Sequence, residues 1–72
     1  MIKEDKRYII AVSQAGQFRF FNGSTAKVEE FSEYYHSAFR YGDKMNAVQF
    51  AESLKMPTKD FKVHILTEVA YK

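Results

Sequence analysis

The sequence contains no cysteine and no tryptophan, and only one proline and three glycines. Without thiols there is no disulfide to brace a small fold and no thiolate metal site. The same absence fits a reducing cytoplasm. Proline stands only at position 57 and glycine only at 16, 23 and 42, so the places where the chain must turn or break are few. No apolar run approaches the roughly 20 residues of a membrane helix. Ile2 is followed by Lys3, Glu4, Asp5, Lys6 and Arg7, which is not the apolar stretch of a signal peptide. A net charge of +2 is too small to argue for nucleic acid by itself.

Aromatic rings are what the chain has in abundance: seven Phe and five Tyr in 72 residues. A single domain of this length buries only about 60% of its unfolded surface. Large rings bury much apolar area per residue, so this composition can support a small core. The remaining source of stability is self-association.

The clearest regular element is a helix over residues 43–55. Ala47, Phe50, Ala51 and Leu54 fall at i, i+3, i+4 and i+7, with Met45 and Val48 widening the stripe. Asp43 is a suitable N-cap, and Pro57 disfavours helical geometry at Met56. Before it, residues 1–6 are polar and expected to fray. Residues 8–12, YIIAV, read as a strand buried at least partly on both faces. A short loop containing Gly16 leads to QFRFF at 17–21, and the two runs make an antiparallel hairpin. Asn22-Gly23 marks a turn. Val28, Phe31, Tyr34, Tyr35 and Ala38 follow helical spacing, and Glu29, Glu30 and Glu33 suit the start of a helix. A helix over 25–36 is expected on that ground, with a short extended piece at 37–41. Finally, residues 61–69, FKVHILTEV, alternate as a strand that joins the hairpin's sheet.

The fold class is therefore α+β: a hairpin, one or two helices and a C-terminal strand. One sheet face is expected to carry Tyr8, Ile10, Val12, Phe18, Phe20, Val63 and Ile65 against the helices. The reverse face would carry Ile9, Ala11, Arg19, Phe21, His64 and Leu66, and would stay exposed if both helices pack on the first.

Nothing in the sequence assembles into reactive machinery. Glu33 and His36 have the Glu-x-x-His spacing of carboxylate metal sites, but such sites need further carboxylates from other helices; on a helix these two are ordinary i, i+3 neighbours. His64 lies on a strand without a patterned partner. Asp43, Asp60 and Glu68 are isolated, and no glycine precedes a Lys-Ser/Thr phosphate loop. No catalytic residue, metal ligand or cofactor site is assigned, and the expectation is a protein that is not an enzyme.

Two binding surfaces suggest themselves. Phe31, Tyr34, Tyr35, Phe39 and Tyr41 crowd one short stretch with Glu30, Glu33 and Arg40, more rings than one helix face can bury. Tyr and Arg are residues that anchor protein interfaces, so Tyr34, Tyr35, Phe39, Arg40, Tyr41, Glu30 and Glu33 form a candidate protein-binding site. The alternative is a nucleic-acid face of Arg7, Arg19, Phe21, Lys62 and His64, combining basic groups with a stacking ring. A homodimer through the reverse sheet face would hide Phe21 and Leu66.

The string AFRYGDKMNAVQFAESL at 38–54 resembles small accessory proteins of bacterial phages and mobile elements. The matching residues are Phe39, Tyr41, Asp43, Ala47, Phe50, Ala51 and Leu54: an aromatic, a polar turn, then a helix with Ala and Phe-Ala about four residues apart. The resemblance implies a short, non-enzymatic protein that modulates a host process by binding, inhibition of a host defence protein such as a CRISPR effector being one instance. It carries no functional residues over to this chain.

Overall fold

A computed structural model describes residues 3–71. Its centre is the strand β1, Glu4–Gln14, flanked by β2, Gln17–Phe20, and β3, Lys62–Tyr71, in an antiparallel sheet of order β2-β1-β3. One helix, α1, Lys44–Ser53, packs on the sheet. Between β2 and α1 lie two short 3-10 turns, Val28–Glu30 and Tyr35–Ser37. The expected α+β fold, with its hairpin and its C-terminal strand, is the one observed.

Central placement explains why YIIAV is apolar without a break. Ile9, Ile10 and Ala11 have no exposed surface and Val12 has 1%, so both faces of β1 are covered. Helix α1 starts where its cap predicts: Asp43 accepts from the Met45 N–H at 2.9 Å. It ends at Leu54, whose ψ of 139° has already left helical geometry before Pro57 is reached. Ala47 and Ala51 are buried against the sheet, with Phe50 and Leu54 beside them. Together with Ile10, Val12, Phe21, Val28 and Phe31 they form the core.

Three expectations are corrected. The first concerns sheet faces. The hairpin turns through Ala15 and Gly16 alone, with φ of 52° and 80°, so that Gln14 pairs with Gln17, Val12 with Arg19 and Ala11 with Phe20. Positive φ at both loop residues is the two-residue turn that suits strand twist. An even loop joins residues of opposite parity, and paired residues share a face. Arg19 and Phe21 therefore lie with Ile10 and Val12, while Phe18 and Phe20 lie with Ala11 and Ser13. The C-terminal strand follows the expected parity: Val63 and Ile65 pair with Val12 and Ile10, and His64 and Leu66 with Ala11 and Ile9.

The second correction is the segment 25–36. It forms the two 3-10 turns, because its backbone groups are drawn to the sheet. Ser32 exchanges hydrogen bonds with Phe20 at 2.7 and 2.9 Å, which a helix through that position forbids. The third concerns the N-terminus. Residues 4–6 do not fray; they pair with Val69, Ala70 and Tyr71. This two-stranded extension beyond the helix contributes to the long axis of a molecule measuring 46 × 22 × 20 Å. Residues 1 and 2 lie outside the described part. Among the described residues, no helix is long and apolar enough to cross a membrane.

Candidate functional site

The aromatic segment wraps the β2 side of the sheet, and its hydrogen bonds fix how it wraps. After Ser32 meets Phe20, the chain makes its second 3-10 turn and returns. The Phe39 N–H donates to the Phe21 carbonyl at 2.7 Å, and Tyr41 exchanges bonds with Tyr8 at 2.8 and 2.9 Å. Of the expected extended piece at 37–41, Ser37 belongs to the second 3-10 turn, while Phe39 and Tyr41 carry the backbone pairing on along the edge beyond β2 without forming a fourth strand.

Along this stretch the side chains divide between the two faces. Phe39 and Tyr41 turn to the helix side, with ring centroids 4.8 Å apart and edge to face. Both approach Phe21, which also lies 5.5 Å from Phe31 and 4.4 Å from Phe50. Phe21 is the hub of the aromatic cluster and only 7% exposed. Gly23, at φ +90°, lets the chain leave this cluster; a Cβ there would stand 3.1 Å from the Phe39 ring.

Tyr35 and Arg40 turn to the other face. The Tyr35 ring meets Phe20 edge to face at 5.5 Å, and its hydroxyl donates to Glu68 Oε2 at 2.9 Å. Arg40 donates to Glu68 through Nε at 2.8 Å and Nη2 at 3.3 Å, and to the Ala38 carbonyl through Nη1 at 2.9 Å. Its guanidinium also stands 5.6 Å from the Tyr35 ring centre. Glu68 belongs to β3, so the clamp spans the sheet, above the fully buried Ile9 and Ala11. The reverse face is therefore not the bare surface expected from sequence.

Charge in the clamp follows these bonds. The hydrogen bond from Arg40, and then that from Tyr35, hold the Glu68 carboxyl below the usual carboxylate range. The bond to Glu68, and then partial burial, raise the Tyr35 phenol. Arg40 is raised by the same partner. Burial alone raises Tyr41.

Of the proposed protein-binding residues, the structure brings Phe39 and Tyr41 together on the helix face and Tyr35 and Arg40 together on the reverse face of the same edge. Tyr34 is 65% exposed, Phe39 44% and Tyr35 43%. The Tyr34 ring lies 5.8 Å from His36. Glu30 pairs with Lys27 at 3.8 Å in the first 3-10 turn, and Glu33 lines an open groove with Gln17, Phe18 and Arg19.

The alternative nucleic-acid set is split. Phe21 is core. Arg19 is on the helix side of the sheet and donates to the Glu29 carbonyl at 2.7 Å. Arg7, Lys62 and His64 share the reverse face, where Arg7 is bridged to Asp5 at 2.6 Å. The reverse-face dimer that would hide Phe21 and Leu66 loses its premise, since those two residues lie on opposite faces.

Sequence reasoning missed one pair. Ser13 Oγ and His64 Nε2 share a hydrogen bond of 2.9 Å, with the Phe18 ring 5.6 Å from the imidazole. The β1–β3 register, which sets His64 opposite Ala11 and Lys62 opposite Ser13, brings the pair together, and the hairpin register adds Phe18 opposite Ser13. Among the described residues, no group of three or more His, Asp or Glu gathers in metal-binding geometry. No protein-family model, curated protein or solved structure matches this chain. What the geometry defines is a small α+β domain with an ordered, ring-rich edge.

Proposed function

We propose that this protein works by binding another protein, without chemistry of its own, through the aromatic segment along the β2 edge. The observation that supports the reading is that Tyr34, Tyr35 and Phe39 keep 65%, 43% and 44% of their surface in solvent although the backbone around them is bonded to the sheet. Rings held on an ordered backbone lose little conformational freedom on contact, which suits them as interface anchors. Arg40, fixed by Glu68 and flanked by Tyr35, adds an oriented cation at the same edge. The protein acts in the cytoplasm. Its resemblance to accessory proteins of phages and mobile elements extends the reading to modulation of a host process, with a defence protein such as a CRISPR effector as one kind of target.

The test compares capture by the wild-type chain and by Tyr34→Ala from a host lysate, with partners identified by mass spectrometry. Tyr34 has its large ring in solvent, so the variant keeps its fold. Loss of one interface anchor is expected to weaken a specific partner by about 2 kcal/mol, roughly thirtyfold. A partner retained equally by both chains, or no specific partner at all, contradicts the proposal.

A further inference from the structure

The two long edges of this sheet are not alike. On the β2 side, Ser32, Phe39 and Tyr41 take up backbone groups. On the β3 side, among the described residues, β3 pairs only with β1, and no backbone hydrogen bond reaches its other edge. Lys62–Tyr71 is a ten-residue strand paired in unbroken register, without proline, glycine or bulge. Proteins usually blunt such an edge with a short strand, a bulge, a proline or inward charge. Here the charges are Lys62 and Glu68, and Glu68 is held by Arg40.

The direction of the open groups follows from β1. Tyr8 exchanges bonds with Tyr41, and the Ile10 carbonyl accepts from Phe21, so even-numbered residues of β1 address the β2 side and odd-numbered ones address β3. In an antiparallel ladder the residues opposite them exchange both bonds. His64, Leu66 and Glu68, opposite Ala11, Ile9 and Arg7, therefore point inward. The N–H and C=O groups of Val63, Ile65, Thr67 and Val69 point out from the sheet.

We propose that this edge binds a second copy of the chain, β3 to β3, antiparallel about a two-fold axis at Leu66, to give a continuous six-stranded sheet. The sequence of the strand selects this occupant and this register. Lys62 stands at one end of the strand and Glu68 towards the other, so an antiparallel copy sets opposite charges diagonally across the interface, Lys62 against the second copy's Glu68. Centred on Leu66, His64 faces the second copy's Glu68. Val63 faces Val69, which covers two side chains that are each 41% exposed. Ile65 faces Thr67, and the outward groups of both strands pair along residues 63–69. A centre at Ile65 would shorten the overlap and leave Val69 without a counterpart. This interface meets the aromatic segment at Glu68, which Tyr35 and Arg40 hold, but does not rest on the function proposed for that segment.

The test is sedimentation equilibrium of the full chain from about 1 µM to 1 mM, a range that spans weak and moderate self-association. The mass should rise from 8.4 kDa towards twice that value. Thr67→Pro removes an outward N–H and leaves the inward ladder intact, a placement that edge strands tolerate; it should hold the chain at the lower mass throughout. The absence of native cysteine allows an independent check of register. Leu66→Cys lies on the axis in a non-hydrogen-bonded pair, about 4.5 Å between Cα atoms, within disulfide reach. It should form a disulfide-linked dimer under mild oxidation, and Ile65→Cys should do so about tenfold more slowly, since its partner is offset along the strand. A wild-type chain that stays monomeric over the whole range overturns the proposal. So does equal association of a folded Thr67→Pro chain, or Ile65→Cys cross-linking as fast as Leu66→Cys.

Discussion

The β2 edge and the β3 edge belong to one sheet yet are finished in opposite ways. Beside β2, the chain folds its own residues 32–41 against the sheet, fixing rings on an ordered backbone. Beside β3 it supplies nothing among the described residues, and a long regular strand is left with its outward groups unpaired by the chain itself. The difference teaches how so small a domain divides its surface. The closed edge presents side chains and suits recognition by shape and ring contact. The open edge presents backbone and suits recognition by strand pairing.

The strongest way to break this contrast is to dissolve the closed edge. Phe21 touches Phe31, Phe39, Tyr41 and Phe50, so Phe21→Ala removes the group on which the segment's helix-side rings converge. A loss of about 3–5 kcal/mol is expected, as for buried aromatics elsewhere. For a chain this small that approaches the whole stability, and chemical denaturation of the variant should show little folded baseline. A shift under 1 kcal/mol would mean that Phe21 is not the hub.

Gly23→Ala is a gentler assault on the same edge. It forces a side chain into φ +90° and to 3.1 Å from the Phe39 ring. The expected cost is about 1–3 kcal/mol, visible as a lowered Tm, with altered NMR shifts at Phe39 and Tyr41. An unchanged Tm would show that the turn is looser than its geometry.

The smallest effect sharpens the comparison, because it tests a side-chain tie between the two edges. Glu68 has its pKa lowered by Arg40 and then Tyr35. A carboxyl lowered on folding contributes stability above its unfolded pKa and loses it as pH falls through the folded value. The wild type should therefore weaken with acid below the ordinary carboxylate range, and Glu68→Gln should flatten that part of the curve. Tyr35 runs the other way: its raised pKa gives stability below the ordinary phenol value that is lost as pH climbs through the folded one. Parallel acid-denaturation curves for the wild type and Glu68→Gln would remove the clamp from the account.

Much of this architecture was legible in the residues. YIIAV announced a strand covered on both sides, Asp43 a capped helix, and FKVHILTEV an alternating strand, because each signal is local. The expected side-chain parity of the hairpin was not correct, because side-chain alternation within each strand does not show which residues pair across the turn: the even loop at Ala15 and Gly16 sets Arg19 and Phe21 beside Val12 and Ile10. Residues 25–36 carry helical spacing in Val28, Phe31, Tyr34 and Tyr35, but Ser32, Phe39 and Tyr41 find backbone partners on Phe20, Phe21 and Tyr8. Tertiary pairing outweighed local preference there. The surplus of rings at 31–41 did mark the candidate site, although the burial of Phe31 and the exposure of Tyr34 follow only from the wrapped path. The open edge of β3 had no signature in the alternation of its side chains, because what distinguishes it is which neighbour is missing.

Amide hydrogen exchange, followed by NMR at a series of protein concentrations, tests the contrast between the edges most directly. At the lowest concentration the amides of Phe20, Ser32, Phe39 and Tyr41 should be protected while those of Ile65 and Thr67 exchange freely; as concentration rises, Ile65 and Thr67 should become protected and the others should not change. Protection of Ile65 and Thr67 that is already full in the dilute chain, or exchange at Ser32 and Phe39 as fast as at Thr67, would contradict it.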